Sequence, residues 1–394
     1  MLPRPSLSFT LPSISDNTKL DCRVFHPPSL CRPSHPSVPW SGNAAVVAHP
    51  YAPFGGCFDD PIVGVVAGTL LQLGFLVATF NFRGAGSSEG RTSWTSKPEQ
   101  ADYISVVGFL AYYVHHLDRR VDRYELPAML MAGYSYGALV AARLPPLDAI
   151  LAYFAAPAIH TAAADIRLRA QYLAETRNSQ LCGSTTPRRS SGTRVGGDED
   201  ISARNNDGNP TIEFQQEERI QENVRALLSR TKPVHRRSSR RSCESEVNNG
   251  INHCLNKVEG GITFQSAYLA VSPPVGFVTR LATMSFPNPW SPPWIRRSRP
   301  DGPVTDDALL LFTSNPTFVI YGDQDGFISH RKIREWTQQL SGTESSQFQF
   351  LEVPGAGHFW TEPDVIYQLR NAIGAFATEF TRRGATPAPA LQMT

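Results

Sequence analysis

Short apolar runs alternate along this chain with longer segments in which apolar residues recur every three or four positions. Runs of the first kind, such as Ala44–Ala48 and Ala128–Ala132, are typical of strands buried on both faces of a sheet. Glu99–Leu117 is a segment of the second kind and indicates an amphipathic helix. Because strands that alternate with helices form crossover units, the pattern predicts an α/β protein with a mostly parallel central sheet and helices on both faces.

Polar and helix-breaking residues mark the limits of these elements. Asp60 and Pro61 suit the N-cap and first turn of a helix that runs to about Leu73, and Gly74 is suited to end it. An apolar stripe predicts a closing helix over Pro363–Arg382. Further strands are expected at Ser6–Thr10, Lys19–Phe25, Phe75–Phe80, Thr263–Val271, Thr317–Tyr321 and Gln347–Val353.

The alternating pattern stops at about Arg177 and returns after about Gly261. The segment between them is rich in Ser, Arg, Asn and Gly, and it contains an Arg/Ser run at residues 236–242. Such a composition buries too little apolar surface to offset the entropy cost of ordering the chain. We therefore predict one domain made of residues 1–176 and 262–385, a disordered insertion at 177–261, and a flexible tail at 386–394.

Composition and charge argue against several classes of function. A net charge of +2 is too mild to indicate a nucleic-acid partner. No apolar stretch approaches the roughly 20 residues of a membrane span, and no signal peptide is visible at the N-terminus. The six cysteines lack metal-site spacing, and no dinucleotide or phosphate-loop motif is present. These observations predict a cytoplasmic protein, without excluding the nucleus, that has free thiols, no metal and no cofactor.

One pentapeptide carries the first signal of chemistry. Gly133-Tyr134-Ser135-Tyr136-Gly137 matches G-x-S-x-G directly after a buried strand and before an Ala/Leu-rich helix. A sharp strand-to-helix turn leaves no room for side chains on either side of the serine, which explains the two glycines. The turn would expose the serine hydroxyl at a helix N-terminus, which favours developing negative charge. The sequence therefore predicts Ser135 as a nucleophile.

A nucleophilic serine needs a base, and the base needs a carboxylate that fixes its tautomer. His358 lies in the Gly-rich loop between the last strand and the last helix, from which an imidazole can reach over the sheet. Asp323 and Asp325 both follow a buried strand upstream of it. We favour Asp325 as the acid, because Asp323 lies closer to the strand end and is better placed to cap the turn.

The order Ser135, Asp325, His358 is the order found in α/β-hydrolases. With these residues, the segments His49–Gly56 and Asn81–Ser88 make the chain resemble the α/β-hydrolase superfamily, most closely its small members with these two loops. The resemblance implies an oxyanion hole made by the backbone N–H groups of Tyr51 and Tyr136. We expect structural roles for His49, held by hydrogen bonds at a strand end, and for Arg83, in a salt bridge that braces its loop.

The resemblance implies a serine hydrolase that cleaves an ester, thioester or amide of a small-molecule acyl substrate. Two alternatives remain open at this level. The same triad serves acyl transfer to an alcohol or amine, and the fold also suits a non-catalytic scaffold that acts through the basic insertion. The segments 147–176 and 286–315 are candidates for a cap over the serine.

Overall fold

The structure, a computed structural model, describes residues 2–31, 40–93, 95–117, 126–181, 220, 222–224, 254–274 and 305–384. At its centre is one eight-stranded sheet. The strands are β1 (Leu7–Pro12), β2 (Lys19–Phe25), β3 (Ala44–Ala48), β4 (Leu76–Phe80), β5 (Ala128–Tyr134), β6 (Gln265–Val271), β7 (Thr317–Gly322) and β8 (Phe348–Val353). Every strand predicted from the sequence is present, with ends that differ by at most two residues.

The strands lie in the order β1-β2-β4-β3-β5-β6-β7-β8. β1 pairs antiparallel with β2, and β2 antiparallel with β4, whereas the other five pairings are parallel. The register sets Ala48 of β3 opposite Gly133 of β5, and Tyr134 opposite Val271 of β6. The carboxyl ends of these central strands therefore share one edge, where ligands bind in open α/β sheets.

Helices cover both faces of the sheet, which confirms the predicted fold class. The helices are α1 (Pro28–Cys31), α2 (Pro61–Gln72), α3 (Lys97–Leu117), α4 (Tyr136–Ala141), α5 (Leu147–Ala155), α6 (Ala162–Leu181), α7 (Thr305–Ser314), α8 (His330–Ser341) and α9 (Val365–Gly384). α2 and α9 pack into the apolar core on one face. α3 to α8 contribute to the core on the other.

Local sequence explains the best-predicted helices. The Asp60 carboxylate accepts hydrogen bonds from the N–H groups of Ile62 and Val63 at the start of α2. Just beyond the helix, Gly74 adopts φ +89°, which only glycine adopts without strain. In α9 the predicted apolar stripe is buried against the sheet.

Part of the predicted insertion is ordered. α6 continues past the expected boundary to Leu181, and Ile220 and Val224 are buried in the core around α3. Cys254 forms a β-bridge with Ala158. Apolar residues scattered through a polar segment therefore find cover on the domain. Most of 177–261 and all of 386–394 lie outside the described residues, so the division of the chain remains a prediction.

The first cap candidate, residues 147–176, folds into α5 and most of α6, which pack on α3. Most of the second candidate, 286–315, lies outside the described residues. Within the described ranges, no helix has the length and apolar character that a bilayer crossing requires.

Candidate active site

Ser135 lies on a strained turn between β5 and α4. Its φ of +52° and ψ of −114° are values that L-amino acids rarely adopt, and such strain is concentrated at functional sites. The neighbouring backbone explains why the turn needs two glycines. A Cβ on Gly133 would lie 2.2 Å from the carbonyl carbon of Gly137, and a Cβ on Gly137 would lie 2.5 Å from the oxygen of Ala48. The turn predicted from the sequence is therefore present.

A chain of hydrogen bonds joins the three predicted side chains. Ser135 Oγ lies 3.0 Å from His358 Nε2, and His358 Nδ1 lies 2.6 Å from Asp325 Oδ2. Because an ionised carboxylate only accepts, Nδ1 carries the proton and Nε2 is left to accept the proton of the serine hydroxyl. His358 and Asp325 are buried, whereas Ser135 is partly exposed to solvent. This arrangement can remove a proton from an accessible hydroxyl.

The two candidate acids have different partners. Asp325 also accepts a hydrogen bond from the N–H of Phe327 through its second carboxylate oxygen, at 2.9 Å. Asp323 instead accepts from the N–H of Gly355 at 2.7 Å and so ties the end of β7 to the loop after β8. The geometry thus places Asp325 against the imidazole and gives Asp323 a turn-bracing contact.

Three residues that the sequence analysis did not single out hold the His358 loop. The hydroxyl of Tyr134 donates to the carbonyl oxygen of His358 at 2.8 Å, and the indole N–H of Trp360 donates to Ser272 Oγ at 3.1 Å. Both Ser272 and Trp360 have positive φ, at +45° and +56°. A buried Tyr or Trp usually has a hydrogen-bond partner for its polar atom. The residue type therefore indicates that a partner exists, but the sequence does not identify that partner. These bonds connect the loop to β5 and β6.

The predicted oxyanion residues lie side by side. The rings of Tyr51 and Tyr136 meet edge to face, with centroids 5.1 Å apart. Tyr136 is the first residue of α4, so its N–H has no partner within the helix. The Tyr136 hydroxyl is buried, and that burial together with the nearby Glu99 raises its pKa well above the usual value.

His49 has the structural role expected for it. Its Nδ1 donates to the carbonyl oxygen of Pro50 at 2.6 Å, and its Nε2 accepts from the N–H of Phe82 at 2.9 Å. Burial lowers the pKa of His49 to about 4, so the ring is neutral at pH 7. In a trans peptide the C=O and N–H point in opposite directions, so His49 also sets the direction of the Tyr51 N–H.

Arg83 braces its loop, as expected. Its guanidinium contacts both carboxylate oxygens of the fully buried Asp102, through Nε at 3.0 Å and Nη2 at 2.7 Å. It also bonds to Asp16 at 2.8 Å, which holds the pKa of that carboxyl well below its usual range. A bidentate pair of this kind fixes the loop after β4 beside the start of α3.

No metal centre is apparent in the described ranges, where no three His, Cys, Asp or Glu side chains are grouped to hold an ion. Cys22, Cys57 and Cys254 are free thiols.

A strained serine between a parallel strand and a helix, followed along the chain by an aspartate and then a histidine after later strands, is typical of one fold. The chain has the α/β-hydrolase fold. The strand order, the serine turn and the positions of Asp325 and His358 after β7 and β8 carry this assignment.

Comparisons with known proteins give matches among solved structures only. No protein-family model and no curated protein matches the chain. An α/β serine hydrolase from Xanthomonas campestris, described as lacking a lid, aligns with 98% of each chain at 18% identity and a TM-score of 0.45. An α/β serine hydrolase homologue from Coxiella burnetii aligns with 95% of this chain and 99% of its own at 14% identity and a TM-score of 0.45. An esterase from Pyrococcus furiosus aligns with 95% of this chain and 89% of its own at 14% identity and a TM-score of 0.42.

Proposed function

We propose that the protein is a serine hydrolase that cleaves a carboxylic ester, thioester or amide through an acyl-enzyme. The single observation that carries the proposal is the continuous hydrogen-bond chain from Ser135 Oγ through His358 to Asp325 Oδ2. An alcohol is a poor nucleophile at neutral pH, and an imidazole at 3.0 Å is a group that can take its proton as it attacks.

In the first step, Ser135 Oγ attacks the substrate carbonyl while His358 Nε2 takes its proton. The Asp325 carboxylate stabilises the imidazolium that forms, without taking the proton itself. The N–H groups of Tyr51 and Tyr136 receive the developing oxyanion. His49 is a positioning residue in this scheme, because its bond to the Pro50 carbonyl directs the Tyr51 N–H.

His358 then donates its proton to the leaving group, the carbonyl re-forms, and the acyl group remains on Ser135. In the second step, water gives its proton to Nε2 and attacks the acyl-enzyme, which frees the acid and restores the serine. The partial exposure of Ser135 supports hydrolysis, since water must reach the acyl-enzyme.

A panel of p-nitrophenyl esters from acetate to decanoate tests the proposal, with Ser135→Ala as the control. We expect turnover of the shorter esters by the wild-type protein and a loss of about 10⁴-fold or more in kcat for the variant. Equal turnover by the wild-type protein and by Ser135→Ala would contradict the proposal.

A further inference from the structure

Two exposed phenylalanine rings stand against the imidazole of His358. The ring centroid of Phe327 lies 4.8 Å from that of His358, and the ring centroid of Phe359 lies 5.5 Å from it. The two phenylalanines also meet each other edge to face at 5.6 Å. Together they form an aromatic surface, Phe327 with Phe359, on the side of the site that carries the base.

The backbone holds the positions from which these rings project, although solvent reaches the rings themselves. Phe327 is 43% exposed and Phe359 is 60% exposed. The N–H of Phe327 bonds to Asp325, and the next residue, Ile328, is buried. Phe359 lies between His358 and the buried Trp360. A preorganised apolar surface binds a ligand without the entropy cost of ordering it first.

Exposed phenylalanines are concentrated at one edge of the sheet within the described chain. Of the four that are exposed there, Phe350 lies within β8, while Phe54 ends a 3-10 helix after β3, and Phe327 and Phe359 lie on loops after β7 and β8, all at the carboxyl edge of the sheet. Phe54 follows β3 on the far side of β5, next to Tyr51, with ring centroids 5.5 Å apart. Ser135 therefore lies between Phe54 and the aromatic surface.

The geometry of acyl transfer determines which part of a substrate lies on the Phe54 side of Ser135 and which part lies on the side of the aromatic surface. The carbonyl oxygen must point at the N–H groups of Tyr51 and Tyr136, and the leaving oxygen must come within hydrogen-bond reach of His358 Nε2. A leaving alcohol therefore passes His358, where the two rings stand. The acyl chain departs in another direction.

We propose that Phe327 and Phe359 bind the alcohol part of the substrate, and that the preferred substrates are esters of apolar alcohols, aromatic ones above all. This inference rests on the proposed function and narrows it. Apolar area removed from water favours binding, and aromatic rings favour the edge-to-face and offset arrangements that this pair already shows.

The test compares esters that differ in only one half. Benzyl acetate and methyl acetate differ in the alcohol, and methyl hexanoate and methyl acetate differ in the acyl group. Rates are followed by pH-stat for the wild-type protein, Phe327→Ala, Phe359→Ala and the matched control Phe350→Ala. We expect the kcat/KM ratio of benzyl to methyl acetate to fall about five- to tenfold in each of the first two variants, because part of an apolar contact is lost.

The same inference predicts an unchanged ratio in Phe350→Ala. It also predicts that Phe327→Leu, which keeps an apolar side chain, retains most of the preference. Thermal unfolding checks that every variant is folded.

Two results would overturn the inference while leaving the proposed function intact. In the first, the kcat/KM ratio of methyl hexanoate to methyl acetate falls in Phe327→Ala and Phe359→Ala while the ratio of benzyl to methyl acetate does not, which would assign the rings to the acyl chain. The other is an equal loss on all three esters, which would mean that the rings only position His358. Absence of turnover of every ester by the wild-type protein would overturn the proposed function, and the inference with it.

Discussion

Gly56 lies against the peptide that is proposed to hold the oxyanion, and its replacement by alanine is a sharp perturbation. A Cβ at this position would lie 2.3 Å from the carbonyl oxygen of Pro50, 2.6 Å from its carbonyl carbon and 2.9 Å from the carbonyl oxygen of Tyr51. All three contacts are to backbone atoms, which cannot rotate away. Ordinary contacts begin at 3.4 Å, so Gly56 and the Pro50–Tyr51 peptide must separate by about 1 Å.

The size of the effect follows from that movement. A misplacement of about 1 Å in a catalytic group costs about 10²-fold in rate. Loss of one oxyanion donor costs about 10²- to 10³-fold in kcat, or about 3–4 kcal/mol of transition-state stabilisation. We therefore expect kcat of Gly56→Ala to fall about 100-fold or more with a smaller change in KM, and its stability to fall by about 1–3 kcal/mol from overpacking.

The assay is turnover of p-nitrophenyl acetate, with kcat and KM determined separately and the folded fraction measured by urea unfolding. Gly64→Ala in α2 is the matched control, because a Cβ there would meet no atom within 4 Å. It should keep wild-type kcat. A folded Gly56→Ala protein whose kcat stays within about threefold of the wild-type value would refute the role given to the Pro50–Tyr51 peptide.

Three further predictions concern the acid, the base loop and pH. Asp325→Asn should lower kcat by about 10⁴-fold, because the imidazole loses the acceptor that keeps its proton on Nδ1, whereas Asp323→Asn should lower kcat by less than about tenfold. Equal losses of kcat in an ester assay would contradict the assignment of the acid. Tyr134→Phe removes the hydroxyl that donates to the His358 carbonyl, so kcat should fall about tenfold with little change in KM; an unaltered kcat would show that this bond does not position the base. Because burial lowers the pKa of His49 from 6.5 to about 4, the unfolded chain takes up this proton first on acidification. His49 therefore makes the folded state less stable as pH falls from about 6.5 towards 4, by about 2 kcal/mol at pH 5. Urea unfolding at pH 7 and pH 5 should show a smaller difference for His49→Asn than for the wild-type protein, and equal differences would contradict this origin.

Local signals were enough for much of the fold. The strands β3 to β8 are largely apolar segments bounded by residues that interrupt secondary structure. The ends of α2 are indicated by Asp60 and Pro61 at its start and Gly74 after its end. The turn at Ser135 was predictable because the two glycines that it requires, Gly133 and Gly137, lie two residues on either side of the serine. The preference for Asp325 over Asp323 also rested on local spacing, and their different contacts support it.

Other features depend on contacts between distant parts of the chain. Tyr134 meets His358 from more than two hundred residues away, and Trp360 meets Ser272 across a gap of 88. Neither partner can be identified from neighbouring residues. The burial of Ile220 and Val224 is of the same kind, because the apolar spacing within Ile212–Leu228 hints at a short helix but does not indicate the surface that covers it.

α8 was missed for another reason. Its buried residues Ile333, Thr337 and Leu340 recur at helical spacing, but a polar residue stands among them, and apart from the partly buried Trp336 the other residues are polar or charged. A stripe this narrow resembles a solvated loop when the sequence is considered alone.

Covalent labelling with a fluorophosphonate tests whether Ser135 is an activated nucleophile, because this reagent reacts with an activated serine and leaves a stable adduct of known mass. We expect one adduct per wild-type molecule, located by peptide mass spectrometry at Ser135. We also expect no labelling of Ser135→Ala, and labelling of His358→Ala that is slower by about 10³-fold or more. A folded wild-type protein that takes up no label, or a Ser135→Ala variant labelled as fast as the wild type, would contradict this role of Ser135.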